Sequence, residues 1–150
     1  MMKIIAHRGN IYGPNKEREN SPEYIEEAIV NGYDVEVDLR YIDGGFYLGH
    51  DSAKYKVDFK FLSKTELWIH CKNFGALNYL IDSDLNYFYH DGDNYTLTSH
   101  NFIWCYPRMI GASMNTVCVL PEWGVDEVDE SHFAICTDFA DDYYDKTNFI

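Results

Sequence analysis

The sequence predicts an α/β domain with parallel strands, and three observations carry that expectation. A strand, a helix and a second strand follow one another within about forty residues at the N-terminus, the pattern of a βαβ crossover and hence of parallel pairing. In the second strand, "YDVEVDLR", the apolar Val35, Val37 and Leu39 alternate with Asp34, Glu36, Asp38 and Arg40, so one side is apolar and the other charged. Short apolar segments then recur to the end of the chain, and several of them stop at a histidine.

Each element has a local reason. "KIIA" (3–6) is β-branched and reads as a buried strand; "HRGNIYGPNKEREN" after it is rich in Gly, Asn and charge and reads as a loop. A helix follows, with Asn20 or Ser21 as cap, Pro22 in the first turn, Glu23 at the positive end, an apolar face of Tyr24, Ile25, Ala28 and Ile29, and Gly32 as its stop. After "YDVEVDLR", the residues Asp43, Gly44 and Gly45 suggest a tight hairpin leading to His50 and Asp51. "ELWIHCKN" is a further strand with Trp68, His70 and Lys72 on one side and Leu67, Ile69 and Cys71 on the other. "NYFYHDGDN", "NFIWCYP", "NTVCVLP" and "HFAICTD" read as strands, "FGALNYLID" and part of "PEWGVDEVDES" as short helices, and "DFADDYYDK" as a solvated acidic tail.

A chain of 150 residues fits one domain, large enough for a core without disulfides. Hydrophobic residues make up 46% of it and aromatic ones 17%, which suits a filled interior and excludes disorder. The formal charge of −13 repels phosphate backbones and anionic bilayers, so nucleic acid is not an expected partner, while a small anion can still be held by a few local cations or a metal. No apolar run spans a bilayer and no export signal is read at the N-terminus, which makes the cytoplasm the expected compartment. Cys71, Cys105, Cys118 and Cys136 lie in apolar strands without C-x-x-C spacing and read as buried free thiols.

His7, His50, His70 and His90 each lie at or near the end of an apolar strand. In a parallel barrel such ends converge on one face, where loops build active sites. Glu36 and Asp38 stand roughly 7 Å apart along their strand, close enough for both carboxylates to reach one cation. The same alternation also fits a half-exposed antiparallel strand with its polar side in water. With Arg8 and Lys72, these residues combine proton carriers, phosphate binders and hard-metal ligands. Trp68 shares a side with His70 and Lys72, where it either walls a pocket or packs. Trp104 reads as core. His90 and Asp91 either join the site or cap a turn, Asp138 is a candidate for the sheet's mouth, and His100 and His132 read as surface residues.

"HRG" (7–9) after the first strand, "ENS" (19–21) before the first helix, "EVD" (36–38) on the second strand and "GHD" (49–51) after the hairpin resemble, in order and spacing, the N-terminal signature of the glycerophosphodiester phosphodiesterases. The likeness is dense over residues 1–51 and thinner beyond, where "WIHCK" resembles the family's later Glu-x-Lys strand and "FAICTD" its last barrel strand. The resemblance implies a TIM-type (β/α) barrel. Because such barrels take about 250 residues, it must be a small or incomplete one with several helices missing, and uncovered strands would call for self-association as a homo-oligomer.

The resemblance further implies metal-dependent hydrolysis of a small glycerol-type phosphodiester. It casts His7 and His50 as the catalytic acid/base pair, Arg8 and Lys72 as substrate ligands, and Glu36 and Asp38 as ligands of a divalent ion, magnesium, calcium or manganese. Glu19 of "ENS" becomes a supporting residue. His70 stands where the family offers a third metal carboxylate, which lowers the ligand charge and softens the site. The implied nucleophile is the substrate's own neighbouring hydroxyl, giving a cyclic phosphate that water opens. The rival expectations are a degenerate, non-catalytic barrel that binds a phosphorylated ligand, and a phosphodiesterase or lyase acting on a polysaccharide- or lipid-linked diester.

Overall fold

The computed structural model describes residues 1–109, 111–124 and 128–148, with side chains of the last helix as far as residue 145. In chain order the elements are β1 (Lys3–His7), α1 (Pro22–Val30), β2 (Asp34–Ile42), β3 (Gly45–Leu48), β4 (Tyr55–Val57), α2 (Phe59–Leu62), β5 (Leu67–Cys71) and α3 (Phe74–Leu80). There follow β6 (Tyr87–Tyr89), β7 (Tyr95–Leu97), β8 (Ile103–Cys105), β9 (Thr116–Val119), a 3-10 turn (Pro121–Trp123), β10 (Ala134–Thr137) and α4 (Ala140–Asn148). Among the described residues no helix is long and apolar enough to cross a membrane.

The strands form one mixed, ten-stranded sheet. The strands β6, β5, β2, β1, β10, β9 and β8 lie side by side and parallel, β7 is antiparallel on β8, and β3 and β4 extend β2 as an antiparallel meander. The sheet curls into a half-barrel. At the open side, β6 and β7 share no strand ladder and meet through Ser99 N–H on Tyr87 O (2.8 Å) and Thr96 Oγ1 on Tyr89 O (2.9 Å).

The expected TIM-type barrel is therefore corrected. The βαβ start is present, with β1 and β2 parallel across α1, but the described residues hold four short α-helices, following β1, β4, β5 and β10, and the molecule is mostly sheet. Strand and helix do not alternate because β7 turns back antiparallel on β8, and the segments that return the chain from β8 to β9 and from β9 to β10 form no α-helix among the described residues. Two further segments differ in part from expectation. The acidic tail is helix α4, whose Asp141, Asp142 and Asp145 are exposed as the solvated reading expects, while Ala140 is buried and the Tyr144 ring stands edge-on to Tyr33. "PEW" forms only a 3-10 turn, and residues 125–127 of that candidate helix lie outside the described residues.

The pleat divides the interior in two. Val35, Val37, Leu39, Leu67, Ile69 and Cys71 face α1 and α3 in the larger core; Ile5, Trp68, Phe88, Trp104, Val117 and Cys136 fill the inside of the curl. Each fully buried aliphatic or aromatic side chain here contributes about 1.5–3 kcal/mol. α1 is fixed as its sequence suggests: Ser21 Oγ accepts the Tyr24 N–H (3.2 Å), Pro22 starts the first turn, and Tyr24, Ile25 and Ala28 are buried. All four cysteines are free, and burial pushes the Cys71 thiol up to about 12, so it is packing material rather than a nucleophile.

Candidate functional site

Two residues on from five of these six inward apolar residues, at the C-terminal end of the strand, the side chain turns polar; Val117 on β9 is followed by Val119 instead. Ile5 is followed by His7, Trp68 by His70, Phe88 by His90, Trp104 by Tyr106 and Cys136 by Asp138. Because these strands are parallel, that single change of character puts all the polar ends at one mouth of the curl. A cleft of about 250 Å³ opens there. His7, Arg8, Glu36, His50, His70, Lys72 and His90 line it together with Trp104, Tyr106 and Trp123.

Glu36 and Asp38 are almost wholly buried, at 2% and 1% exposure, so the strand is not the half-exposed one that its alternation also allowed. His70, on the neighbouring β5 and in register with Asp38, brings Nδ1 to 3.4 Å from Asp38 Oδ1 and 3.7 Å from Glu36 Oε1. One ligand atom from each of Glu36, Asp38 and His70 lies within 4.8 Å of the others, a spacing that suits one ion. Glu36 Oε2 is buried without a hydrogen-bond partner among the described residues, and a buried carboxylate oxygen in that state calls for a cation. On both counts the residues present fit a divalent metal. Burial alone would lower the His70 pKa, yet the two carboxylates raise it to about 9, so without an ion its imidazolium is their counter-charge. Burial opposes the charge on Asp38 as well, but His70, then Arg8 and Asn20, hold its carboxyl well below the usual range.

Asn20 is the residue that fixes Asp38. Its side-chain amide donates to Asp38 Oδ2 (2.9 Å) and its carbonyl accepts the Asp38 backbone N–H (2.9 Å), from a left-handed conformation at φ 65° that Asn tolerates better than most residues. Arg8 adopts φ 56°, which turns its side chain back over the mouth, with Nε 3.4 Å from Asp38 Oδ2 and NH1 3.3 Å from Glu19 Oε2. Gly9 completes the turn at φ 89°, where a Cβ would stand 2.8 Å from the Tyr24 ring.

His7 Nδ1 lies 2.7 Å from Asp138 Oδ1. A carboxylate can only accept, so Nδ1 carries the proton and Nε2, 3.6 Å from Glu36 Oε2, is the nitrogen left for chemistry. Burial opposes charge on His7, but the Asp138 bond and the Glu36 charge raise its pKa above the ordinary value. Asp138 is held in turn by Asn10 Nδ2 (2.9 Å), and its backbone N–H donates to Glu122 Oε1 (2.9 Å). Glu19 also accepts from Asn10 (3.0 Å), which makes it a support for both Arg8 and the His7 network.

His50 lies just past β3, in the loop to β4: Gly49 N–H donates to Asp38 O (3.0 Å), and Arg40 clamps the loop through His50 O (2.6 Å). Its Nδ1 is 2.7 Å from Asp51. His90 lines the cleft with both ring nitrogens buried and without hydrogen-bond partners, while its carbonyl accepts from His70 Nε2 (3.2 Å). Burial, then the charges of His70 and Lys72, lower its pKa.

Trp68 does not wall the cleft. Its indole N–H donates to Asp34 Oδ2 (2.9 Å) and its ring packs on Phe102 and Trp104, one pleat below His70, whereas Trp104 reaches the cleft. His132 is buried against Thr116 rather than at the surface, while His100 is exposed on Asp84 O. Asn10 and Glu122 carried no signal in the sequence. Asn20 lay within "ENS", and Asp138 followed a strand as the histidines do.

Compared with known proteins, the chain matches no family model, no curated protein and no solved structure.

Proposed function

We propose that the cleft cleaves a small glycerol-type phosphodiester with the help of a divalent metal, magnesium, calcium or manganese, held by Glu36, Asp38 and His70. The observation that carries this reading is the buried Glu36–Asp38–His70 donor set beside His7 and Arg8 in one cleft. The resemblance of "HRG", "ENS", "EVD" and "GHD" to the glycerophosphodiester phosphodiesterases agrees with it. When bound, the metal supplies positive charge to the nonbridging phosphate oxygens.

The chain's own groups do the rest. Arg8 and Lys72 bring fixed positive charge to the phosphate as negative charge builds in the transition state. Of His7 and His50, one accepts the proton of the attacking hydroxyl, taken as the substrate's own neighbouring one, and the other donates a proton to the departing alkoxide. A phosphorus–oxygen bond forms to that hydroxyl oxygen and the bond to the leaving oxygen breaks, giving a cyclic phosphate that water then opens. Asp138 keeps His7 in one tautomer and one orientation. Purified protein with each metal should release alcohol from a glycerophosphodiester, and His7→Ala should stop release while circular dichroism stays native. A panel of diesters and metals giving no turnover above that of the variant refutes the proposal.

A second reading, a non-catalytic site for a phosphorylated ligand, draws on His70. An imidazole stands there instead of a third carboxylate, and with its pKa raised to about 9 it serves as a built-in cation for Glu36 and Asp38. Ligand-dependent thermal stabilisation without turnover selects that reading.

A further inference from the structure

Behind the His50 loop lies a second concavity, of about 290 Å³, that shares Arg8 and His50 with the catalytic cleft. Its other charged walls are Lys16, Glu19, Asp51 and Lys54. The two acids are already engaged, Glu19 by Arg8 and Asn10, Asp51 by His50. Lys16 and Lys54 form no ion pair among the described residues. The exposed Asp51 carboxylate feels the Lys16 charge but does not contact it, and on a chain with 25 acidic and 12 basic residues two ammonium groups held by no salt bridge and flanking one hollow are not explained by general surface charge.

The walls are also tied to each other. Tyr55 OH donates to Glu17 O (3.3 Å), which fastens the Lys16 loop to the β3–β4 meander, and Lys54 Nζ rests 5.1 Å from the centre of the same Tyr55 ring. Gly49 admits the Ser52 carbonyl so closely that any Cβ would collide with it, so the loop from 49 to 54 has one compact course. Lys54 N–H on Leu48 O (3.0 Å) closes that loop. The hollow is thus shaped before any ligand arrives, and ordering it consumes little binding energy.

We propose that this hollow is a subsite for a second phosphate group carried by the substrate, with Lys16 and Lys54 as its ligands and Arg8 shared with the reacting phosphorus. The inference rests on the phosphodiester reading of the neighbouring cleft and narrows it: the preferred diester bears a phosphomonoester on one of its alcohols. Lysine suits the task because an ammonium acts as a point charge on phosphate without demanding a planar, two-pronged geometry.

Inorganic phosphate tests the subsite without any turnover. Titrated into the isotope-labelled full chain, it should shift the backbone amide resonances of residues 15–20 and 49–54, and Lys16→Gln/Lys54→Gln should weaken that binding at least ten-fold while Lys60→Gln, on α2 and outside the walls of both concavities, leaves it within two-fold. Shifts confined to residues 70–72 and 104–107, unchanged affinity in the double variant, or no binding by the native chain each overturn the subsite. In a parallel assay, the kcat/KM of glycerophosphoglycerol bearing a terminal phosphate, divided by that of glycerophosphoglycerol itself, should fall at least ten-fold in the double variant, with the unphosphorylated diester unaffected. An unchanged ratio also overturns the subsite. Absence of turnover on every diester overturns the catalytic reading instead, and the phosphate titration still decides the subsite.

Discussion

Replacing Asn20 by alanine should cost this protein more stability than its small size and loop position suggest. Asn20 is 1% exposed and spends both ends of its amide on Asp38. Alanine removes a hydrogen bond to a charged carboxylate, worth about 1.5–3 kcal/mol, and leaves the buried Asp38 N–H without an acceptor, worth about 1–3 kcal/mol more. Residue 20 also sits at φ 65°, a region that Asn enters more readily than Ala, which adds to the loss. The expected loss is about 4 kcal/mol or more, a large part of the roughly 5–15 kcal/mol that holds a domain together. Urea unfolding should read it as a lower midpoint at unchanged slope. Asn20→Gly forfeits the same hydrogen bonds but meets no penalty at positive φ, so it should unfold about 1 kcal/mol later than Asn20→Ala. A loss below about 1 kcal/mol for alanine, or a glycine variant no more stable than the alanine one, refutes the assignment of Asn20 as the residue that holds Asp38.

Two further predictions concern chemistry. Because the His70 pKa is raised to about 9, an ion must displace its proton at neutral pH, so the manganese dissociation constant should fall about ten-fold per pH unit between pH 7 and about 9 and then level off, with close to one proton released per ion in calorimetry; an affinity flat across that range contradicts the ligand role of His70. Asp138→Asn keeps the shape of the side chain but favours the wrong His7 tautomer, so kcat should drop by about 10²–10⁴ with KM little changed, and a variant of native kcat removes Asp138 from the machinery.

Much of the site was legible residue by residue. His7, Arg8, Glu36, His50, His70, Lys72 and His90 do line one cleft, and Asp38 joins Glu36 and His70 beneath it, because strand alternation and strand ends are set by local backbone geometry. Trp68 was ambiguous for a reason. Its side of β5 was readable, but the depth at which the inward face changes from apolar to polar depends on Asp34 and on the aromatic rings of β8, which reach it only after the sheet has curled. The barrel expectation failed differently: the resemblance implied a TIM-type barrel with some helices missing, whereas the described residues show a mixed sheet in which β7 runs antiparallel on β8 and no α-helix lies between β8 and β9 or between β9 and β10.

The sequence by itself determined most of the strands, though not the short β4 and β7, together with which of their sides are apolar and where most of them give way to chemistry, since a two-residue repeat and the residue that interrupts it are properties of a few consecutive peptide units. Only the tertiary structure decided that Asp138 should meet His7 across 131 residues, that Asn20 and Glu122 should hold the acids in place, and that Lys16 and Lys54 should face one hollow. Those encounters depend on how the sheet curls and on the turns of individual loops, and distance along a chain carries no record of either.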